Sequence, residues 1–302
     1  MKTVVTGGAG FIGSHIVDAY INEGHEVVVI DNLSKGKLEN LNPKAQFYKV
    51  DVRDKESVDK IFDKEKPDVV NHHAAMIEVA KSVREPSETI EVNVVGTMNL
   101  LSAAVINNTK RFIFASTGGA IYGSPEEVRV DESYEPAPSS PYGLSKLLGE
   151  EEIRHYSREN NLEYVIFRYA NIYGERQDSK GEAGVVAIFS ELMREGEPPT
   201  IFGDGNKTRD YVYVGDVVEA NVLALQNGTN NIFNIGRGVE VSDSQVFETV
   251  AKAVNFNEKP KFEPVRSGEV LRISLDAKRA KEELGWEPKI NFEEGVAKVA
   301  SK

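Results

Sequence analysis

The chain has 302 residues, enough to bury a sizeable core as one large domain or two small ones. Its formal net charge of -12 argues against nucleic acid or an anionic membrane as a partner. It contains no cysteine, which excludes disulfides, thiol nucleophiles and thiolate metal sites, and none of its five histidines has zinc-ligand spacing. We therefore expect no metal site.

The N-terminal segment predicts a dinucleotide site. Residues 2–6 form a short apolar run that is typical of a buried parallel strand, and the glycine-rich segment 7–13 follows at once and opens an amphipathic helix to about residue 23. Glycines let the backbone approach a pyrophosphate, whose charge then meets the N–H groups and positive dipole end of the helix. The segment has no signal-peptide pattern, and no apolar run approaches membrane-spanning length, so we expect a cytoplasmic protein.

Two aspartates follow the next predicted strands. Asp31 ends the apolar strand 26–30, close to the spacing expected for the carboxylate that binds an adenosine ribose. A carboxylate there repels a 2′-phosphate and favours NAD over NADP, although a solvated strand-end residue is the alternative. Asp51 and Val52 follow the strand 46–50, where an adenine edge can bind.

Further strand ends lie nearby in the predicted sheet. The strand 68–71 leads into His72 and His73, which we interpret as packing residues rather than catalysts, and then into two alanines small enough for a cofactor to approach. A long helix over about 88–107 carries Asn93, and the strand 111–115 leads into a segment rich in hydroxyls and glycines, 116–123.

Tyr142 and Lys146 are the candidate catalytic pair. On a helix they lie one turn apart on the same face, so an ammonium lies beside a phenol. We expect this charge to lower the pKa of Tyr142 and make its phenolate a general base at neutral pH. The alternative is a chance pair of surface residues.

The order of elements predicts an α/β protein. Six alternating strands and helices within the first 170 residues predict a Rossmann-type, doubly wound parallel sheet with right-handed crossovers. After residues 171–174 the alternation loosens, which suggests a smaller α/β substrate-binding lobe over 172–302 that exchanges some strands and helices with the NAD-binding domain 1–171. The cleft between the lobes is the expected ligand site.

Taken together, these motifs resemble the extended short-chain dehydrogenase/reductases. The segment 168–174 (RYANIYG), the later Arg-Asp-Tyr and the Leu-Gly-Trp-x-Pro segments make the chain similar to the nucleotide-sugar epimerases within that family. This resemblance implies Tyr142 as the base, Lys146 as its partner on the nicotinamide ribose, and a nearby hydroxyl as an assistant. Relatives carry a serine where this chain has Gly118, so Thr117, with Ser116 as a substitute, takes that role.

The resemblance also implies two sets of binding residues. Those for NAD are Gly7, Gly10, Phe11, Ile12, Gly13, Asp31, Asn32, Ser34, Asp51, Val52, His73, Ala74, Ala75, Asn93, Ser116, Tyr142, Lys146 and Tyr169. Those for the nucleotide sugar are Thr117, Tyr142, Asn171, Val185, Val186, Thr200, Phe202, Arg209, Arg266 and Glu269. The two arginines suit a diphosphate because guanidinium groups are planar bidentate donors, although either can instead form a surface ion pair.

The activity implied by the resemblance is the interconversion of UDP-glucose and UDP-galactose at C4 through a 4-keto sugar, with NAD retained. The alternatives are a UDP-N-acetylhexosamine 4-epimerase, a dehydratase, a decarboxylase or a non-catalytic dinucleotide sensor. Ile273, which the resemblance places near the sugar C2 substituent, has an intermediate size that does not decide between sugars. The helices over about 88–107 and 142–156 resemble the pair that forms a homodimer interface in these enzymes.

Overall fold

A computed structural model describes residues 1–126, 128–180, 184–265 and 270–300 of the chain. Its centre is one parallel sheet of seven strands. In the chain-order numbering used for all strands, these are β1 Lys2–Thr6, β2 Glu26–Asp31, β3 Gln46–Lys49, β4 Val69–His72, β5 Arg111–Thr117, β7 Glu163–Tyr169 and β11 Asn231–Ile235. Their order across the sheet is β11-β7-β5-β4-β1-β2-β3. This order confirms the predicted doubly wound sheet.

Helices cover both faces of the sheet, as a fully parallel sheet requires. The α-helices of the described residues are α1 Phe11–Asn22, α2 Lys55–Glu65, α3 Val79–Arg84, α4 Pro86–Ile90, α5 Gly96–Ile106, α6 Gly118–Ile121, α7 Pro141–Glu159, α8 Val185–Arg194, α9 Val214–Leu223, α10 Asp243–Val254 and α11 Phe292–Ala300. One apolar core lies between the sheet and helices α1 and α9, and a second lies between the sheet and helices α2, α5 and α7.

One helix corrects an expectation from the sequence. The π-helical turn Glu91–Val95 joins α4 to α5, and the continuous helix Pro86–Ile106 is long and apolar enough by composition to span a membrane. Half of its most apolar window is nevertheless buried, because the helix packs against α2 and α7. Its apolar character therefore serves at least partly to fill the core.

The start of α7 fixes the position of the predicted catalytic pair. Ser140 caps the helix, since its hydroxyl accepts a hydrogen bond from the Gly143 N–H at 3.1 Å. Pro141 is the first helical residue, where its fixed φ and missing N–H carry no cost. These two residues start the helix at the point that lets Tyr142 and Lys146 face the carboxyl ends of the strands.

The remaining strands form three small sheets. The first consists of β8 Asn171–Tyr173, β10 Thr208–Tyr213 and β12 Glu240–Ser242; the second pairs β9 Thr200–Phe202 with β13 Lys261–Glu263; the third pairs β6 Arg129–Val130 with β14 Ser274–Leu275. Helices α8, α10 and α11 pack over a separate apolar core that includes Phe189, Phe247 and Phe292. A lobe boundary at residue 171 remains our proposal. The chain returns to the first lobe after this boundary, because β11 lies in the main sheet.

Candidate active site

A cleft with a volume of about 490 Å³ opens at the carboxyl ends of the central strands. This is where parallel α/β sheets bind ligands, at the point where the strand order reverses. Nineteen of the predicted site residues line the cleft: Gly7, Gly10, Phe11, Ile12, Gly13, Asp31, Asn32, Ser34, Asp51, Val52, His73, Ala74, Ala75, Ser116, Thr117, Tyr142, Lys146, Tyr169 and Asn171. Residues distant in sequence thus meet at one site.

The glycine turn has the geometry of a pyrophosphate cradle. Gly7 has φ +69°, and a Cβ there would lie 2.7 Å from the backbone nitrogen of Ala74. A Cβ on Gly13 would overlap the carbonyl of Gly7. Gly10 precedes α1, whose first turn has neither a side-chain cap nor an acidic residue. No acidic residue of α1 itself therefore occupies the positive end of its dipole, which fits a bound dinucleotide.

Asp31 is held at the rim of this cradle. Its carboxylate accepts hydrogen bonds from the N–H groups of Ala9 at 3.0 Å and Leu33 at 2.7 Å, and burial raises its pKa. Each carboxylate oxygen can accept a further bond from a ribose hydroxyl. The guanidinium of Arg53 holds the pKa of Asp51 well below its usual range, so this second carboxylate is charged.

Asn93 lies behind the wall of the cleft. Its amide oxygen accepts from the Met76 N–H at 2.7 Å, and its amide nitrogen donates to the Met76 carbonyl and to the Ser145 hydroxyl, each at 2.9 Å. It is 2% exposed and is not among the residues that line the cleft. These bonds connect the segment after β4 to α7, and the prediction that Asn93 binds the cofactor stays a prediction.

The pKa expected for Tyr142 is wrong in this structure. Tyr142 and Lys146 both line the cleft from one face of α7, as their spacing predicts, yet burial raises the pKa of Tyr142 to about 12. Burial also lowers the pKa of Lys146 to about 7, and its ammonium donates to the Ala115 carbonyl at 2.8 Å. Desolvation thus sets the direction of the Tyr142 pKa, and the one-turn spacing from Lys146 does not lower it.

Two adjacent hydroxyls at the end of β5 have different partners. The side chain of Thr117 hydrogen-bonds the Tyr142 phenol and thereby opposes the rise in its pKa. Ser116 instead donates to the buried carboxylate of Glu150 at 2.5 Å. Thr117 is therefore the hydroxyl placed to act on Tyr142, and the alternative assignment to Ser116 is corrected.

Packing accounts for the glycine at position 118. A Cβ there would overlap the side chain of Leu275, which is 1% exposed and belongs to a small apolar core between α6 and β14. The space that a serine at position 118 needs is filled by this leucine. The chain therefore has room for a catalytic hydroxyl at Thr117 but not at the next residue.

Within the part of the chain that the structure describes, most of the residues predicted to bind the sugar nucleotide do not line this cleft. Val186 is 1% exposed within the core of the second lobe, which contradicts a side-chain contact to uridine. Arg209 donates to the carbonyl of Thr208, and neither it nor Val185, Thr200 or Phe202 is among the described residues that line the cleft. Arg266 and Glu269 lie outside the described residues.

Several residues of the site have no signal in the sequence motifs. Lys35, Lys37, Arg176 and Lys180 also line the cleft and provide cationic groups in an otherwise acidic protein. Glu150 does have a signal that was missed, because it stands one helical turn beyond Lys146 on the same face of α7.

Comparison with known proteins decides the family. The model described as the NAD dependent epimerase/dehydratase family matches residues 3–236. The chain belongs to this family. Among its relatives in this epimerase/dehydratase family is the UDP-glucose 4-epimerase of Mycolicibacterium smegmatis, 43% identical over 99% of this chain and 97% of the relative.

Two solved structures resemble this family member over its whole length. The UDP-glucose 4-epimerase of Thermotoga maritima, solved with UDP-glucose, is 48% identical with a TM-score of 0.98, covering 100% of this chain and 98% of that one. The UDP-glucose 4-epimerase of Thermus thermophilus, solved with NAD, is 43% identical with a TM-score of 0.95 and the same coverage.

Proposed function

We propose that this chain interconverts UDP-glucose and UDP-galactose by inverting the configuration at the sugar C4. The observation that carries the proposal is the meeting of Tyr142, Thr117 and Lys146 in a glycine-lined cleft. The chain that carries this cleft is 48% identical to an epimerase solved with UDP-glucose.

NAD is the cofactor of this family, and the cleft fits it. Gly7, Gly10 and Gly13 would hold the pyrophosphate, and Asp31 would hold the adenosine ribose. Bound NAD supplies a hydride acceptor and the positive charge of its oxidised ring. Because epimerisation has no net redox change, the cofactor need not leave between turnovers.

Tyr142 is the group that moves the proton in this proposal. Its phenolate takes the proton of the sugar 4-hydroxyl as C4 loses a hydride, and the resulting phenol returns the proton after the 4-keto sugar has presented its other face. The Thr117 hydroxyl, which hydrogen-bonds the phenol, favours the phenolate and opposes the desolvation that raises the pKa of Tyr142. The Lys146 ammonium lies one helical turn away on the same face of α7.

The second lobe anchors the nucleotide in this proposal. Rotation of the 4-keto sugar requires firm contacts to UDP and weak contacts to the hexose. We assign the diphosphate to Arg209 and Arg266, the sugar diphosphate to Asn171, and further contacts to Val185, the backbone at Val186, Thr200, Phe202 and Glu269. These remain proposals drawn from the resemblance.

Dehydration of a 4-keto sugar is the nearest competing reaction. A dTDP-glucose 4,6-dehydratase from Streptomyces venezuelae is 30% identical to this chain with a TM-score of 0.92. Elimination needs an acid/base group at C5 and C6, which the resemblance places at positions 118–120. This chain has Gly118, Gly119 and Ala120 there, so epimerisation is favoured.

A substrate panel tests this proposal. Purified protein is incubated separately with UDP-glucose, UDP-galactose and their N-acetyl forms, and the products are separated and identified. We expect UDP-glucose and UDP-galactose to reach the same mixture from either side, without an accumulating 4-keto product. Conversion of the N-acetyl forms alone, or release of a 4-keto-6-deoxy sugar, contradicts the proposed substrate or reaction.

We also propose that the chain forms a homodimer. Helices α5 and α7 expose large apolar side chains on one side of the molecule: Met98 is 43% exposed, Ile106 64%, Leu144 44% and Leu148 38%. A second copy would bury them. Light scattering should give twice the chain mass of 33.4 kDa, and Leu144→Glu with Leu148→Glu should give the mass of one chain. A monomeric wild type contradicts this proposal.

A further inference from the structure

A buried carboxylate lies behind the catalytic residues. Glu150 is 1% exposed and is one helical turn beyond Lys146 on α7. It accepts three hydrogen bonds, from the Ser116 hydroxyl at 2.5 Å and from the Nε and Nη2 of Arg168 at 3.0 and 2.7 Å. A buried charge is costly unless it is paired and hydrogen-bonded, and here both conditions are met.

The same network extends away from the cleft. Arg168 also donates from Nη1 to the Tyr122 hydroxyl at 3.0 Å, and its guanidinium lies 5.0 Å from the centre of that ring. Tyr122 in turn donates to the Asn234 side chain at 2.8 Å. One set of buried bonds therefore joins α7, the end of β5, the segment after α6, and strands β7 and β11.

We propose that Glu150 is a positioning residue of the active site, whose carboxylate fixes Ser116 beside Thr117 and provides a counter-charge to Lys146 from one helical turn away. Tyr142, Lys146 and Glu150 are spaced by four residues on one face of α7. The helix thereby places the base, its cation and the counter-charge of that cation in a row. This inference rests on the proposed epimerase function.

Glu150 is the acidic group that acts on the charge of Lys146. Burial lowers the pKa of Lys146, and the charge of Glu150 raises it again. The titratable and charged groups near Lys146 are Tyr142 and Glu150 on α7, His72 at the end of β4, His73 just after it, and Arg168 on β7 through its bond to Glu150. Burial lowers the pKa of both histidines, so they are neutral at pH 7. Strand β5 contributes the Phe114 ring and the Ala115 carbonyl, neither of which titrates.

The test is the pH profile of kcat/KM for conversion of UDP-galactose by the NAD-bound enzyme. Glu150→Gln keeps the shape of the side chain and removes its charge. We expect the inflection of the profile that reports loss of the Lys146 proton, near pH 7 in the wild type, to move down by about one pH unit. Glu150→Asp keeps the charge and should restore that inflection while kcat stays reduced, because the shorter side chain cannot reach both partners.

Two further variants complete the design. Glu151→Gln is the matched control, since Glu151 lies on the exposed side of α7 and pairs with Arg154 at 2.7 Å; its profile should equal the wild type. If Glu150→Gln leaves Arg168 unpaired and does not fold, Glu150→Gln with Arg168→Gln removes both charges, and the inflection should move in the same direction by less.

The outcomes separate the two proposals. A wild type that converts UDP-galactose, together with a folded Glu150→Gln protein in which the inflection that reports Lys146 is unmoved, overturns the inference on Glu150 alone. A loss of unfolding free energy without a shift of the profile gives Glu150 a merely structural role and also overturns it. A wild type that converts no UDP-hexose overturns both proposals.

Discussion

The hydroxyl of Thr117 provides a quantitative test of the active site. Thr117→Val removes the hydroxyl and keeps the branched shape. Because the hydrogen bond from Thr117 opposes the burial that raises the pKa of Tyr142 to about 12, its loss should raise that pKa further. A hydrogen bond to a charged group contributes about 1.5–3 kcal/mol, which corresponds to roughly one to two pH units.

Turnover should follow the fraction of phenolate. At a fixed neutral pH, Thr117→Val should therefore lower kcat roughly 10- to 150-fold. Ser116→Ala is the matched comparison, since it removes a hydroxyl one residue away that is bonded to Glu150. It should lower the free energy of unfolding by about 1.5–3 kcal/mol and lower kcat by less than Thr117→Val does, because the Thr117 hydroxyl stays in place.

Both variants are measured by conversion of UDP-galactose across the pH range and by urea unfolding. The expected pattern is a large catalytic loss with little change in stability for Thr117→Val, and a smaller catalytic loss with reduced stability for Ser116→Ala. Equal catalytic losses in the two variants refute the assignment of the assisting hydroxyl to Thr117.

Three other predictions follow from packing and burial. Burial lowers the pKa of Lys146 from 10.5 to about 7, so the buried charge destabilises the folded chain fully below pH 7, and this destabilisation is lost as the pH rises from about 7 to 10.5. Lys146→Met should abolish turnover yet raise the free energy of unfolding by about 1–3 kcal/mol at pH 6. Urea titrations should show that this gain in stability disappears by about pH 10. Gly13→Ala should yield protein without bound nucleotide, measured by absorbance after denaturation, since the new Cβ overlaps the Gly7 carbonyl; retained NAD contradicts the cradle geometry. Gly118→Ala should lower the free energy of unfolding by about 1–3 kcal/mol, because the new Cβ overlaps Leu275. In a double-mutant cycle, Gly118→Ala with Leu275→Ala should lose less stability than the sum of the two single variants. Strictly additive losses count against the overlap.

Much of the fold could be predicted because local signals and the global topology agree. The apolar run that becomes β1 is followed by glycines and leads directly into α1, and the run that becomes β2 ends at Asp31. The return of β11 to the main sheet from the second half of the chain could not be predicted in this way. That pairing is decided by the exposed edge of β7, which no local pattern reveals.

The site was predictable to the extent that it depends on spacing. Tyr142 and Lys146 are separated by one helical turn, and the glycines follow the first strand directly, so their positions follow from helix and sheet geometry. The direction in which the Tyr142 pKa shifts could not be predicted, because the depth of burial around the phenol depends on tertiary structure. The burial of Val186 in a core formed by distant helices could not be predicted for the same reason.

The most direct test of the account is Tyr142→Phe, assayed with purified, NAD-bound protein for conversion of UDP-galactose to UDP-glucose. The change removes one hydroxyl and keeps the ring. The account predicts a fall in kcat of about 10²- to 10⁴-fold with the fold and the bound NAD retained. A variant that keeps near wild-type turnover with intact structure contradicts the central role of the Tyr142 phenol.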